Sequence, residues 1–124
     1  MKHTPYSKAK FACRILIPAA LLVLVGTSSH ALAADVDIEA AITLARKNDC
    51  FKCHAIDKPK KGPAYKKIAN KYKERRDGEE IAIKHFTSAP KVKLLDDGSE
   101  VEHRIVDTKS VKEQKNLAQW ILSQ

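Results

Sequence analysis

The chain has 124 residues, 44% of them hydrophobic and 31% charged, and 23 Lys and Arg against 15 Asp and Glu give it a formal charge of +8. That length fits one domain rather than several. Part of the basic excess lies in the first turns of the chain, so whole-chain charge overstates the basicity of the folded part.

Met1 to Arg14 carries Lys2, Lys8, Lys10 and Arg14 and no acid. The apolar run "ILIPAALLVLVG" follows, then Ala31-Leu32-Ala33, the small-x-small form that signal peptidase accepts. Charged, then apolar, then small reads as a cleavable secretory signal peptide over residues 1–33. The apolar run is short for a span of about 20 residues and contains Pro18, so no permanent membrane anchor is expected. Cys13 precedes the apolar run, where no lipoprotein cysteine sits, and leaves with the signal.

The domain expected over residues 34–124 keeps all 15 acidic residues and 19 basic ones, a formal charge of +4. Basic balance in an exported protein favours acidic protein partners or anionic surfaces and not nucleic acid. A chain of about 90 residues buries only a modest core. Exported domains of this size commonly rely on disulfides. Here only Cys50 and Cys53 remain, and a bridge between them would close a tiny loop and stabilise little. A covalently held cofactor would complete the core instead.

In chain order, Ile38, Ala41, Ile42 and Ala45 share one face of a first helix, with Asp35 or Asp37 as its cap. The segment "CFKCHAIDKPKKGPAY" follows, from residue 50 to residue 65. Pro63 is expected to open a second helix, "AYKKIANKYKER", with Tyr65, Ile68, Ala69 and Tyr72 at helical spacing. Asp77-Gly78 breaks it, and a third short helix, "EEIAIKHFTSA", ends before Pro90. In "KVKLLDDGSEVEHRIV" the Asp97-Gly98 pair between alternating apolar runs signals a β-hairpin. If its second arm is extended, Val101, His103 and Ile105 share one face and Glu100, Glu102 and Arg104 the other. The terminal "TKSVKEQKNLAQWILSQ" predicts a helix capped by Thr108 or Asp107. Its apolar face is Val111, Leu117, Ala118, Ile121 and Leu122, with Trp120 beside it. The fold expected is therefore mainly α, about four helices with a short hairpin before the last.

Cys50, Cys53 and His54 form C-x-x-C-H, the spacing of covalent c-type haem attachment, with His54 as one axial ligand. Two thiols reach the two vinyl groups while the histidine follows on the same turn. Three rival readings stand beside it. A thioredoxin-like pair would follow a buried strand, whereas the segment before Cys50 has helical periodicity. A zinc site would need His85 and His103 to join the cysteines, against the usual ligand spacing. A plain disulfide is the third. Export supports haem, because cytochrome c maturation takes place outside the cytoplasm.

On "CFKCHAIDKPKKGPAYKKIA" and the terminal "KNLAQWILSQ", the exported part resembles a class I c-type cytochrome of the small bacterial kind. The resemblance implies a cytochrome c fold around one haem c held through Cys50 and Cys53, and a periplasmic electron carrier rather than an enzyme. It implies that Pro63 offers its carbonyl to the His54 ring N–H, orienting the ligand and raising its basicity. It also implies that the first and last helices pack together.

The chain departs from that family in its distal ligand, which is usually a methionine from the loop before the last helix; the only methionine is Met1. His103 lies about where that methionine would be, and is the expected second ligand. His85 shares a helix face with Ile81 and is expected to be a packing or surface histidine. Lys91, Lys93 or Lys109 as ligand, and an open or water-bound site, remain as alternatives. Histidine lacks the thioether that favours reduced iron, so a bis-histidine site implies a potential below that of methionine-ligated relatives.

Lys52, Lys58, Lys60, Lys61, Lys66 and Lys67 cluster in sequence around the motif. Read functionally, they form a basic collar that steers docking onto acidic patches of redox partners; read plainly, they are a solvated face. The expected function is a monomeric, diffusible electron carrier. A small-ligand binder or sensor with a displaceable sixth site, and a haem subunit of a larger redox enzyme, are the competing readings.

Overall fold

A computed structural model describes residues 35–124, so the expected signal segment and its cleavage site lie outside the described residues. The chain forms α1 (Ile38–Lys47), α2 (Cys50–Cys53), α3 (Tyr65–Tyr72), α4 (Gly78–Thr87), β1 (Lys91–Lys93), β2 (Glu100–Glu102) and α5 (Val111–Leu122). The mainly helical fold with a hairpin before the last helix is therefore as the sequence predicts. The additional helix is the single turn that carries the two cysteines.

Helix α5 is the central packing element, with α1, α3 and α4 all laid against it. Leu117, Ala118, Trp120 and Ile121 form its buried stripe. They meet Ala41 and Ala45 of α1, Tyr65 of α3, and Ala82 and Phe86 of α4. Small residues on α1 let its axis approach α5 closely, while the large volume comes from Trp120, Leu117 and the rings of α3 and α4. Asp37 caps α1 by accepting the Ala40 N–H at 2.9 Å. Asn116 of α5 holds the same end, accepting the Asp37 N–H and donating to the Asp37 carbonyl, both at 2.8 Å. The first and last helices thus pack together through apolar and polar contacts.

Two expectations about α5 fail. Its cap is Ser110, whose hydroxyl accepts the Glu113 N–H at 3.3 Å, and not Thr108 or Asp107. Ser110 and Glu113 have capping-box spacing, a signal the sequence carries openly. Thr108 instead bonds the Glu113 carboxylate and, at 3.1 Å, the Ser110 N–H. Val111 is 62% exposed, lies in a first turn of α5 that is exposed throughout, and does not join the buried face of the helix.

Pro63 does not open α3 either. Ala64 is the N-cap, so Pro63 lies one residue outside the helix and its carbonyl is free for another donor. Between α3 and α4, Gly78 passes so close to the Tyr72 carbonyl oxygen that a Cβ would lie 2.2 Å from it. Only glycine fits that crossing.

The hairpin is antiparallel, with Val92 opposite Val101, and Gly98 turns it at a φ of +73°. Its second strand stops at Glu102. Beyond it the chain bends so that Val106 enters the core and donates its N–H to the Phe86 carbonyl at 2.9 Å. That bend breaks the alternation: Val101 and His103 face the interior cavity, whereas Ile105 is 54% exposed.

Candidate functional site

A cavity of about 590 Å³ opens between α2, α3, α4, the buried face of α5 and the hairpin. Cys50, Cys53, His54, Gly62, Pro63, Tyr65, His85 and His103 all line it. Its walls are completed by apolar side chains, among them Ile68, Phe86, Val92, Leu94, Val101 and Leu117. Cys50 and Cys53 are not bridged to each other. Among the described residues no group of three or more His, Cys, Asp or Glu side chains is arranged to hold a metal ion by itself.

The motif begins on a left-handed residue, Asp49, at a φ of +59°, a conformation that aspartate tolerates better than most residues. This turns the chain sharply from α1 into α2, and Cys50 and Cys53 then occupy one helical turn. The His54 N–H closes the turn on the Cys50 carbonyl at 2.9 Å. His54 itself is extended, which sends its ring across the cavity rather than along the helix.

His54 is held on three sides. Its Nδ1 lies 2.7 Å from the Pro63 carbonyl. A carbonyl only accepts, so Nδ1 carries the proton and Nε2 keeps a free lone pair, as a metal ligand requires. Gly62 presses against the ring; a Cβ there would lie 2.5 Å from His54 Cε1. Gly62 is itself fixed by its N–H to the Cys53 carbonyl at 2.7 Å. Tyr65 stacks on the imidazole with centroids 5.3 Å apart and planes 17° apart, and Trp120 backs Tyr65 edge-on at 5.2 Å. Burial lowers the His54 pKa, with Pro63 opposing, and so favours the neutral form that binds metals.

His103 repeats this arrangement across the cavity. Its Nδ1 lies 2.8 Å from the Arg104 carbonyl, so its Nε2 is also the free nitrogen. Burial lowers its pKa as well. The His54 and His103 ring centroids are 6.2 Å apart, with planes at 48°. An imidazole nitrogen sits about 2 Å from a first-row metal, so two rings facing each other across one ion have centres about 6 Å apart. The residues present therefore fit a haem: two thiols on one turn, a glycine that leaves room for the His54 ring, apolar walls, and two imidazoles at the separation that one ion between them needs.

The loop bearing His103 is tied to the motif. Asn48, buried to 5% exposure, accepts the Asp107 N–H on its Oδ1 at 2.7 Å. Arg104 donates to the Asp49 carboxylate at 2.6 Å, and Lys52 pairs with the same carboxylate. The His103 N–H bonds the Pro90 carbonyl at 2.9 Å.

The charged rim differs in membership from the sequence reading. Of the six lysines expected, Lys52, Lys61 and Lys67 line the cavity, and Lys71, Lys93 and Arg104 join them against the acids Asp49 and Glu102. Lys66 is engaged with Asp57. Of the alternative lysine ligands, Lys93 lines the cavity; Lys91 and Lys109 do not. His85, expected as a packing or surface residue, lines the cavity beside Ile81 and contacts His103.

Residues 38–124 match the cytochrome c family model. The chain belongs to the cytochrome c family. Cytochrome c-552 of Hydrogenobacter thermophilus is 37% identical over 87 residues, a match covering 64% of this chain and 76% of that protein. The class 1 cytochrome MtoD of Sideroxydans lithotrophicus ES-1 has a similar structure, with a TM-score of 0.67 and 52% identity. That alignment covers 71% of this chain and 96% of MtoD. Cytochrome c552 of Nitrosomonas europaea aligns at a TM-score of 0.53 and 28% identity, over 66% of this chain and 96% of its own. Like other cytochromes c, this is a haem electron-transfer protein of the small class I kind. Family membership implies covalent c-type haem, and Cys50 and Cys53 fit its attachment pattern.

Proposed function

We propose that this cytochrome c is a periplasmic one-electron carrier with a single haem, whose iron is held between His54 and His103 at a potential below that of histidine–methionine relatives. The observation that carries the reading is the 6.2 Å spacing of the two rings, each with its Nδ1 bound to a backbone carbonyl. The only methionine lies at residue 1, so the donor set offers no thioether from the folded domain.

The haem supplies the redox-active iron. The chain's part is to hold that iron in one geometry in both oxidation states. Pro63 and the Arg104 carbonyl keep both imidazoles in the tautomer that presents Nε2. Gly62 and Tyr65 fix the His54 plane, and the hairpin's Val92, Leu94 and Val101 give the cavity apolar lining. Imidazole is a stronger donor to ferric iron than a thioether and stabilises the oxidised form, which lowers the potential. Six basic side chains against two acidic ones at the cavity favour docking onto an acidic surface of a redox partner. Export to the periplasm rests on the charged, apolar and small pattern of residues 1–33.

Visible spectra of the oxidised and reduced holoprotein, with carbon monoxide added to the reduced form, test this reading. Low-spin spectra without a methionine–iron band and without carbon monoxide binding are expected. A high-spin ferric spectrum or ready carbon monoxide binding would instead favour the small-ligand binder.

A further inference from the structure

A third imidazole shares the cavity. His85 and His103 meet edge to face with centroids 4.5 Å apart, closer than His103 is to His54. Among the described residues, neither ring nitrogen of His85 has a hydrogen-bond partner, whereas His54 and His103 each commit Nδ1 to a carbonyl. Both nitrogens of His85 are therefore available.

The two distal candidates also differ in how firmly the backbone holds them. His85 stands in the last turn of α4, next to Phe86, a core residue. His103 stands on irregular chain just past a two-stranded hairpin, an element that is marginally stable by itself. One of the loop's tethers, Arg104 to Asp49, is largely exposed, and such pairs contribute little. Between Glu102 of the hairpin and Val106 in the core, Arg104 and Ile105 are exposed, so this short stretch can shift His103 while Val106 and α4 stay packed.

We propose that His85 is a reserve axial ligand, which takes the distal position on the iron when the His103 loop moves away. This rests on the bis-histidine reading above. The exchange breaks one nitrogen–iron bond and makes another of the same kind. Charge and electron count at the iron stay the same, and the haem remains six-coordinate while its distal loop is displaced. Such a carrier would stay closed to small ligands even with that loop open.

The test uses ferric holoprotein of the wild type, His103→Ala, His85→Ala and the double variant, purified without imidazole. Visible and low-temperature magnetic resonance spectra report spin state. Low-spin spectra are expected for both single variants, with His103→Ala showing altered g-values, and high-spin spectra for the double variant. High-spin His103→Ala would overturn the reserve role and leave His103 as the resident ligand. High-spin His85→Ala with an unchanged His103→Ala would make His85 the resident ligand and overturn the His54–His103 assignment. A low-spin double variant would give the position to a lysine and overturn the proposal. If His103→Ala does not fold, wild type and His85→Ala are compared through a guanidinium titration. Loss of the low-spin spectrum at lower denaturant in His85→Ala supports the exchange, provided helix unfolding by circular dichroism coincides in the two. Coincident loss of the low-spin spectrum overturns it.

Discussion

Asn48 at the end of α1 accepts the backbone N–H of Asp107, 59 residues later, at 2.7 Å, while its own amide donates to the Leu44 carbonyl at 2.9 Å. One buried side chain thus joins the residue before the haem motif to the loop that carries His103. Replacing it with alanine removes this part-buried bond to the Asp107 N–H and the one to the Leu44 carbonyl. A loss of about 1 kcal/mol is expected on denaturant unfolding. The same variant should show a weakened distal ligand field, because the anchor of the His103 loop is gone.

Gly62→Ala tests the floor under His54. The new Cβ would lie 2.5 Å from His54 Cε1, closer than atoms approach without something moving. The ring cannot retreat freely, since Tyr65 stacks on it and Trp120 backs Tyr65. The expected outcome is reduced haem incorporation and, in whatever holoprotein forms, shifted g-values. A variant with wild-type yield and spectra would mean that the chain relaxes around the methyl group.

Ser110→Ala removes the α5 cap. Its hydroxyl accepts the Glu113 N–H, and α5 supplies the central packing stripe of the fold. A loss of about 1 kcal/mol is expected for a cap of this kind. For a domain of this size that is a fall of about 4–8 °C in Tm, read by thermal melting of the holoprotein. The haem spectrum at low temperature should not change, because Ser110 does not line the cavity.

Much of this was legible in the sequence, and the parts that were not share a cause. C-x-x-C-H, the Asp37 cap and the Asp97-Gly98 hairpin are local patterns, in which residue type and spacing carry the physics directly, whereas the Pro63 carbonyl was expected only from the family resemblance. Placing His103 on an apolar face needed only the alternation of one strand, and Val101 and His103 do face the cavity. Ile105 departs because Val106 is drawn into the core by Phe86, a contact invisible to a period-two pattern. Asn48 and Gly62 act through partners far along the chain or in ring geometry, and spacing gives no sign of either role. His85 is a different case. Its shared helix face with Ile81 was visible, and both line the cavity, but nothing local distinguished a cavity wall from ordinary packing. Lys71, Lys93 and Arg104 likewise reach the rim only through the fold.

The rim gives a prediction about partners. Lys61→Glu, Lys67→Glu and Lys71→Glu together invert charge beside the cavity without touching a core residue. Electron transfer with an acidic redox protein at low salt should slow by about tenfold or more. The gap should narrow as ionic strength rises and the Debye length shortens to about 8 Å near physiological salt. Stopped-flow rates across a salt series read both effects. Equal rates for wild type and variant at every salt would show that these lysines are only a solvated face.

The axial pair is tested most directly by nuclear magnetic resonance of the oxidised holoprotein with isotope-labelled histidine. The structure places three histidine rings at the cavity, and iron ligation shifts a ring's signals far outside the normal range. Two strongly shifted histidines are expected, His54 and His103, with both sets retained in His85→Ala and the His103 set absent in His103→Gln. A single shifted histidine, or a second shifted set that disappears in His85→Ala, would contradict the assignment of His103 as the resident distal ligand.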